Sequence, residues 1–260
     1  MGVGSVTGDR YLRRVRRWPA AAVLTLALTL GASCGGAASN QTGDGEVVVM
    51  AASSLSDVIE RLLEDGTGIT PVLAGSSTLV AQLSAGAHAD VLITANAATM
   101  DRATSDGSVQ GTPVVIATNA LVLATAPGNP GRVSGLADLA RPDLLIGLCS
   151  AEVPCGALAR QALGGAQIAP SVDTLELSVR ALATKLSLGE LDAGLIYSTD
   201  AGTAGLPVVG APELDGHVNR YHIASVSDDP RPEVLEVIND FAESGKPGSD
   251  ALHAHGFGQP

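Results

Sequence analysis

Three apolar runs in this chain end in small or hydroxyl-bearing residues and pass directly into amphipathic segments. Val47 to Ala52 leads into Ser53-Ser54, after which Leu55, Val58, Ile59, Leu62 and Leu63 recur at helical spacing. Gly68 to Ala74 leads into Gly75-Ser76-Ser77-Thr78, ahead of Leu79, Val80 and Leu83. Leu144 to Cys149 leads into Ser150 to Gly156, ahead of Ala157, Leu158, Ala162 and Leu163. A fourth amphipathic segment opens at Val179 after Glu176-Leu177-Ser178, and a fifth apolar run, Asp192 to Tyr197, ends in a tyrosine before Ser198-Thr199-Asp200. A strand that turns into a helix exposes the helix's first N–H groups and the positive end of its dipole, so an anion is stabilised there. Small residues let the anion reach the backbone. Ser54, Ser76, Cys155, Val179 and Tyr197 are therefore candidates for one site built by convergence, with backbone donors near Cys155 and Val179.

Each residue also has a plainer reading. At one isolated junction Ser53 and Ser54 would simply cap a helix, and Tyr197 at a strand end would be a core tyrosine. A serine hydrolase is a remote alternative, because neither Ser54 nor Ser76 lies in a Gly-x-Ser-x-Gly elbow. His88, His217, His222, His253 and His255 show no spacing that completes a triad, and His253 and His255 near the terminus read as solvated polar residues, not a metal site.

The elements needed to hold such a site follow from composition and order. Of 260 residues 45% are apolar but only 2% aromatic, which suits Ala-, Val-, Leu- and Ile-rich strands packed under helices. Alternating strand and helix patterns predict an α/β fold with mostly parallel pairing, in which ligands sit outside the carboxyl ends of strands. Pro113 to Thr118 and Ala120 to Thr125 read as separate extended runs, Pro207-Val208-Val209 and Arg220 to Val226 as strands, and Pro232 opens a helix. The net charge of −12 excludes nucleic acid as a partner and requires an anion to be held by local dipoles and hydrogen bonds.

The first part of the chain is not fold. Arg10, Arg13, Arg14, Arg16 and Arg17 precede an apolar stretch from Ala20 to Leu30, so residues 1–33 read as a secretory leader. Gly31-Ala32-Ser33 before Cys34 resembles a bacterial lipoprotein processing site, although Gly31 stands where that pattern has leucine. Lipidation of Cys34 is expected, with residues 34–45 as a flexible tether. The product is either anchored to the outer face of the cell membrane or secreted. In that oxidising setting Cys149 and Cys155, six positions apart, read as a disulfide in preference to metal ligands or a catalytic thiol.

Six pieces of the chain carry a family resemblance. They are Ala51-Ala52-Ser53-Ser54-Leu55, Gly75-Ser76-Ser77-Thr78-Leu79, Ala89-Asp90-Val91-Leu92-Ile93, Val153-Pro154-Cys155-Gly156, Ser178-Val179-Arg180 and Ala193 to Ala201. In this order they resemble the periplasmic molybdate-binding proteins of ABC importers, which are type II solute-binding proteins. The resemblance implies a two-lobed fold, each lobe a mixed, mostly parallel sheet flanked by helices, closing over one oxyanion. Residues 46–119 and 221–260 would form lobe I and residues 120–220 lobe II. It implies hydroxyl donors at Ser54 and Ser76, backbone donors at Cys155 and Val179, and a phenol donor at Tyr197. All five would contact the oxygens of molybdate, and none would ligate the metal atom. Cys155 departs from the family's alanine, which a backbone donor tolerates. Molybdate or tungstate is the implied ligand, with no cofactor and no catalysis, and an ABC permease the implied partner of a monomer. Another tetrahedral oxyanion, such as sulfate, is the alternative cargo.

Overall fold

The computed structural model describes residues 46–260. The leader, Cys34 and the tether lie outside the described residues. The strands are β1 (Val47–Ala52), β2 (Ile69–Ala74), β3 (Val91–Thr94), β4 (Val114–Thr125), β5 (Ile146–Cys149), β6 (Val172–Glu176), β7 (Ala193–Tyr197), β8 (Val208–Val209) and β9 (Val218–Ser225). The helices are α1 (Ser56–Glu64), α2 (Ser76–Ser84), α3 (Ala97–Ser105), α4 (Pro154–Gly165), α5 (Val179–Ser187), α6 (Ser198–Thr203), α7 (Pro232–Ala242) and α8 (Pro247–Ala254). Pro154, Pro232 and Pro247 each open their helix, where the missing N–H has no partner to lose.

The strands form a mixed sheet in the order β2-β1-β3-β9-β4-β7-β5-β6, with β8 on β4. Parallel pairing holds among β1, β2 and β3 and among β5, β6 and β7. Every pairing made by β4 or β9 is antiparallel, so the sheet as a whole is evenly mixed and the parallel pattern is confined to its two ends. β2 lies at an edge, which is where Pro71, lacking a donor, is tolerated.

The 12-residue β4 differs from the two runs read in the sequence. It passes without a break through Asn119, pairing with β9 up to Ala120 and with β7 from Leu121. One hydrophobic core draws all of its buried residues from Leu121 to Leu214. Two others use only 47–117 together with 221–257. The two-lobed architecture follows: separate cores, with β4 and β9 crossing between them.

Candidate functional site

β1 is buried along its whole length and ends in a 3₁₀ turn, Ser53–Leu55, before α1 begins. Neither Ser53 nor Ser54 caps a helix with its side chain, so the capping reading fails for this junction. The Ser54 hydroxyl instead lies 2.6 Å from the phenol oxygen of Tyr221 on β9. Ser76 is the first residue of α2, and its hydroxyl oxygen accepts the Ala95 N–H at 3.0 Å. Cys155 is the second residue of α4, where Pro154 has no N–H and the next backbone donors are free of helical partners. The Cys149–Cys155 disulfide, with Cα atoms 5.8 Å apart, ties this turn to the end of β5. Gly156 packs against the Ser150 carbonyl so closely that any Cβ would collide with it. Val179 opens α5 after Ser178, whose hydroxyl accepts the Ala181 N–H at 3.2 Å. Tyr197 ends β7, and its phenol oxygen accepts the side-chain amide of Asn219 at 2.6 Å.

Ser54, Ser76, Cys155, Val179 and Tyr197 all line one cavity, together with Ala52, Ala95 and their neighbours. Its volume is about 10 Å³. That is room for one small species, far below the several hundred Å³ of pockets that hold organic ligands. The five residues are each less than 5% exposed, so a ligand enters only when the walls part. The walls come from both halves of the fold. Gly75 meets the Leu177 carbonyl at a distance no side chain would allow, and the Ser77 hydroxyl donates to the Glu152 carbonyl.

No residue lining the cavity carries a formal charge. The first residues of α2, α4 and α5 line it, so the positive ends of three helix dipoles meet there without a cation. Burial raises the Tyr197 phenol well above its ordinary pKa, with Tyr221 and Asp200 adding to the effect and the Asn219 hydrogen bond opposing it. The phenol therefore stays protonated as a donor. The nearest guanidinium, on Arg180 next to Val179, is occupied elsewhere: it binds Asp57 at 2.6 Å and lies 3.6 Å from buried Asp200. None of the histidines lines the cavity.

Several residues around the site carry no signal in the sequence reading. Asn119 on β4 and Asn219 on β9 are buried and directly opposite each other in the ladder. Asn119 donates to Thr199 at 2.7 Å and to Tyr221 at 3.4 Å, and accepts from Ser198 at 3.2 Å. An asparagine in mid-strand is unusual, and two of them inside apolar strands were the available clue.

A two-lobed fold that closes on a small, polar, uncharged cavity defines a binding protein. The chain belongs to the bacterial extracellular solute-binding proteins, whose family model matches residues 47–258. It is thus an extracytoplasmic protein of a binding family, not a catalytic one. The molybdate-binding protein ModA of Mycobacterium bovis is 34% identical over 226 residues, covering 84% of this chain and 86% of that protein. ModA of Escherichia coli is 26% identical over 236 residues, covering 82% and 89%. Among solved structures, the periplasmic molybdate-binding protein of Azotobacter vinelandii aligns with a TM-score of 0.67 at 17% identity, covering 82% of this chain and 99% of its own. The sulfate-binding protein SubI of Mycobacterium tuberculosis aligns with the same TM-score, 0.67, at 13% identity, covering 82% and 86%. Both share the fold.

Proposed function

We propose that this protein captures molybdate, and tungstate with it, and delivers the anion to an ABC permease. The observation that carries the reading is the meeting of Ser54, Ser76, Cys155, Val179 and Tyr197 around one cavity that has donors and no formal charge. Ser54, Ser76 and Tyr197 donate through their hydroxyls, and Cys155 and Val179 through backbone N–H groups. Each such bond to a charged acceptor contributes about 1.5–3 kcal/mol. A fully deprotonated tetrahedral dianion offers acceptors on every oxygen. Hydrogen phosphate keeps an O–H that finds no matching acceptor and is rejected.

In this reading residues 46–119 and 221–260 act as lobe I and residues 120–220 as lobe II, hinged where β4 and β9 cross between the cores. Ser54 and Ser76 come from the first lobe and the other three donors from the second, so an anion bridging them favours the closed form. The protein works as a monomer held at the cell surface through lipidated Cys34, and it performs no chemistry on its cargo. The fold shared with a sulfate-binding protein makes sulfate the second reading. Calorimetric titration of the purified protein with molybdate, tungstate, sulfate and phosphate separates the two. Tight one-to-one binding of molybdate and tungstate with silence toward sulfate is the expected result. Tight sulfate binding with silence toward molybdate overturns the cargo.

A further inference from the structure

The hydroxyls around the cavity share a feature that the donor set alone does not explain. Ser76 and Tyr197 each have an oxygen lone pair already occupied by a fixed partner. Ser76 accepts the Ala95 backbone N–H at 3.0 Å. Tyr197 accepts the Asn219 side-chain nitrogen at 2.6 Å, its one side-chain hydrogen bond among the described residues. The orientation of that amide is not free. The same nitrogen also donates to the Pro154 carbonyl at 3.2 Å, and a carbonyl can only accept, so the nitrogen and not the oxygen must face both partners. An amide nitrogen cannot accept in return. The Tyr197 proton is therefore denied its nearest neighbour and is left for the cavity.

Two residues along β9, on the same face, Tyr221 serves the third hydroxyl. Its oxygen takes the Asn119 amide at 3.4 Å and lies 2.6 Å from Ser54. Either hydroxyl of that pair can donate; with Asn119 on one phenol lone pair, the arrangement in which Tyr221 donates to Ser54 leaves the Ser54 proton for the cavity. Asn119 and Asn219 are partners in the β4–β9 ladder, on the two strands that run between the cores.

We propose that Asn219, seconded by Asn119 through Tyr221, is a positioning residue that fixes the direction of the cavity's hydroxyl protons and thereby its preference for fully deprotonated oxyanions. This rests on the proposed oxyanion site and deepens it. The amides touch no ligand; they act on the Tyr197 hydroxyl directly and on that of Ser54 through Tyr221, while Ser76 is held by the Ala95 N–H. Their place on the crossing strands keeps the orientation common to donors from both halves. Without them a hydroxyl is free to turn its lone pair inward, where it would repel a dianion and welcome a protonated one.

The test is a double-mutant cycle read by calorimetric titration with molybdate and, separately, phosphate. Asn219→Leu removes the amide without adding charge, and is made alone and with Tyr197→Phe. The wild type binds molybdate and ignores phosphate. Asn219→Leu is expected to weaken molybdate by about tenfold or more and to narrow the gap to phosphate. Added to Tyr197→Phe, it should change molybdate affinity by less than about twofold, because the proton it positions is already gone. Equal losses in both backgrounds would mean that Asn219 serves packing, and no loss alone would mean that it does nothing for the ligand; either overturns the inference. Asn219→Asp, nearly isosteric and, when ionised, able only to accept from Tyr197, is the second variant if the leucine protein does not melt cooperatively. It should lose molybdate binding more completely in the Tyr197 background than in the Tyr197→Phe background, and equal losses would again overturn the inference. If the wild type binds none of molybdate, tungstate or sulfate, the oxyanion reading itself falls and takes this inference with it. Wild-type molybdate binding that Asn219 substitutions leave intact removes the inference alone.

Discussion

Replacing Asp200 with asparagine should make the protein more stable near pH 8 and remove a pH dependence that the wild type carries. Asp200 lies in the first turn of α6 and is 1% exposed. Neither carboxylate oxygen has a hydrogen-bond partner among the described residues. Arg180 Nε approaches one of them at 3.6 Å, close enough for attraction but too far for a hydrogen bond, and one of its terminal nitrogens is committed to Asp57. Burial outweighs that attraction and pushes the carboxyl from an ordinary 3.8 up to about 7, with the Asp57 charge adding to the rise. The folded chain then holds a proton that the unfolded chain releases near pH 4. Stability from this group is fully present below the unfolded value and is lost as pH rises through the folded one. Moving a carboxyl from 3.8 to about 7 corresponds to roughly 4 kcal/mol, a large share of the 5–15 kcal/mol typical of a domain.

The assay is urea unfolding of the wild type and Asp200→Asn at closely spaced pH values from 4 to 9. Every other ionisable group is common to both proteins and cancels in the difference. The wild type should fall relative to the variant between about pH 4 and 7, by up to the roughly 4 kcal/mol above, and the difference should level off beyond that. Asparagine keeps the shape and leaves the Arg180–Asp57 pair in place. A difference that stays flat across this range, or a wild type that gains on the variant as pH rises, refutes the reasoning.

Two other outcomes follow from the site. Ser76→Ala removes a proposed ligand donor and leaves the Ala95 N–H without its acceptor, so molybdate affinity should drop about ten- to hundredfold with a modest loss of stability; a change below twofold in a titration would remove Ser76 from the site. Replacing Cys149 and Cys155 together with serine opens a loop closed across a separation of six residues, which should lower stability by about 2 kcal/mol. The same variant should bind the anion more weakly, because the turn that presents the Cys155 N–H is no longer tied down. An unchanged urea midpoint would show that the bridge contributes nothing to the fold.

The parts of the fold legible in the sequence were those specified by local pattern. The junctions at Ser54, Ser76, Cys155 and Val179 join an apolar run or a capping serine to a helix with 3.6-residue spacing, and all four became helix starts or the turn just before one. β4 was split in reading because Asn119 interrupts its apolar run, although the ladder continues through that residue. β6 went unread because Val172–Glu176 alternates exposed and half-buried residues at a sheet edge and carries two acids. α8 went unread because Pro247-Gly248 has the look of a loop, yet proline is at home as a first helical residue and Gly248 packs against Asp240 and Phe241. For Asn119 and Asn219 the only local clue was an asparagine inside a strand, which does not reveal its partners. Ser54 and Tyr221 are 167 residues apart in sequence, and only the crossing of β4 and β9 brings their partners together.

The division of donors between the halves sets how strongly the anion selects the closed form. On the proposed reading an open cleft offers Ser54 and Ser76 from one side, and closure adds Cys155, Val179 and Tyr197 from the other. At about 1.5–3 kcal/mol for each bond to a charged acceptor, the three added donors favour closure by roughly 4.5–9 kcal/mol. Moving a two-state equilibrium from one part in a hundred to ninety-nine needs only about 5.5 kcal/mol. A chain that rests open would therefore close on binding with no contribution from a charged side chain. The absence of cations from the lining has a further consequence. A lysine or arginine would attract any anion from either half of an open cleft, whereas neutral donors need the full, correctly directed set before they bind well. Selectivity and closure thus come from the same requirement: the tetrahedral dianion must satisfy donors on both sides at once.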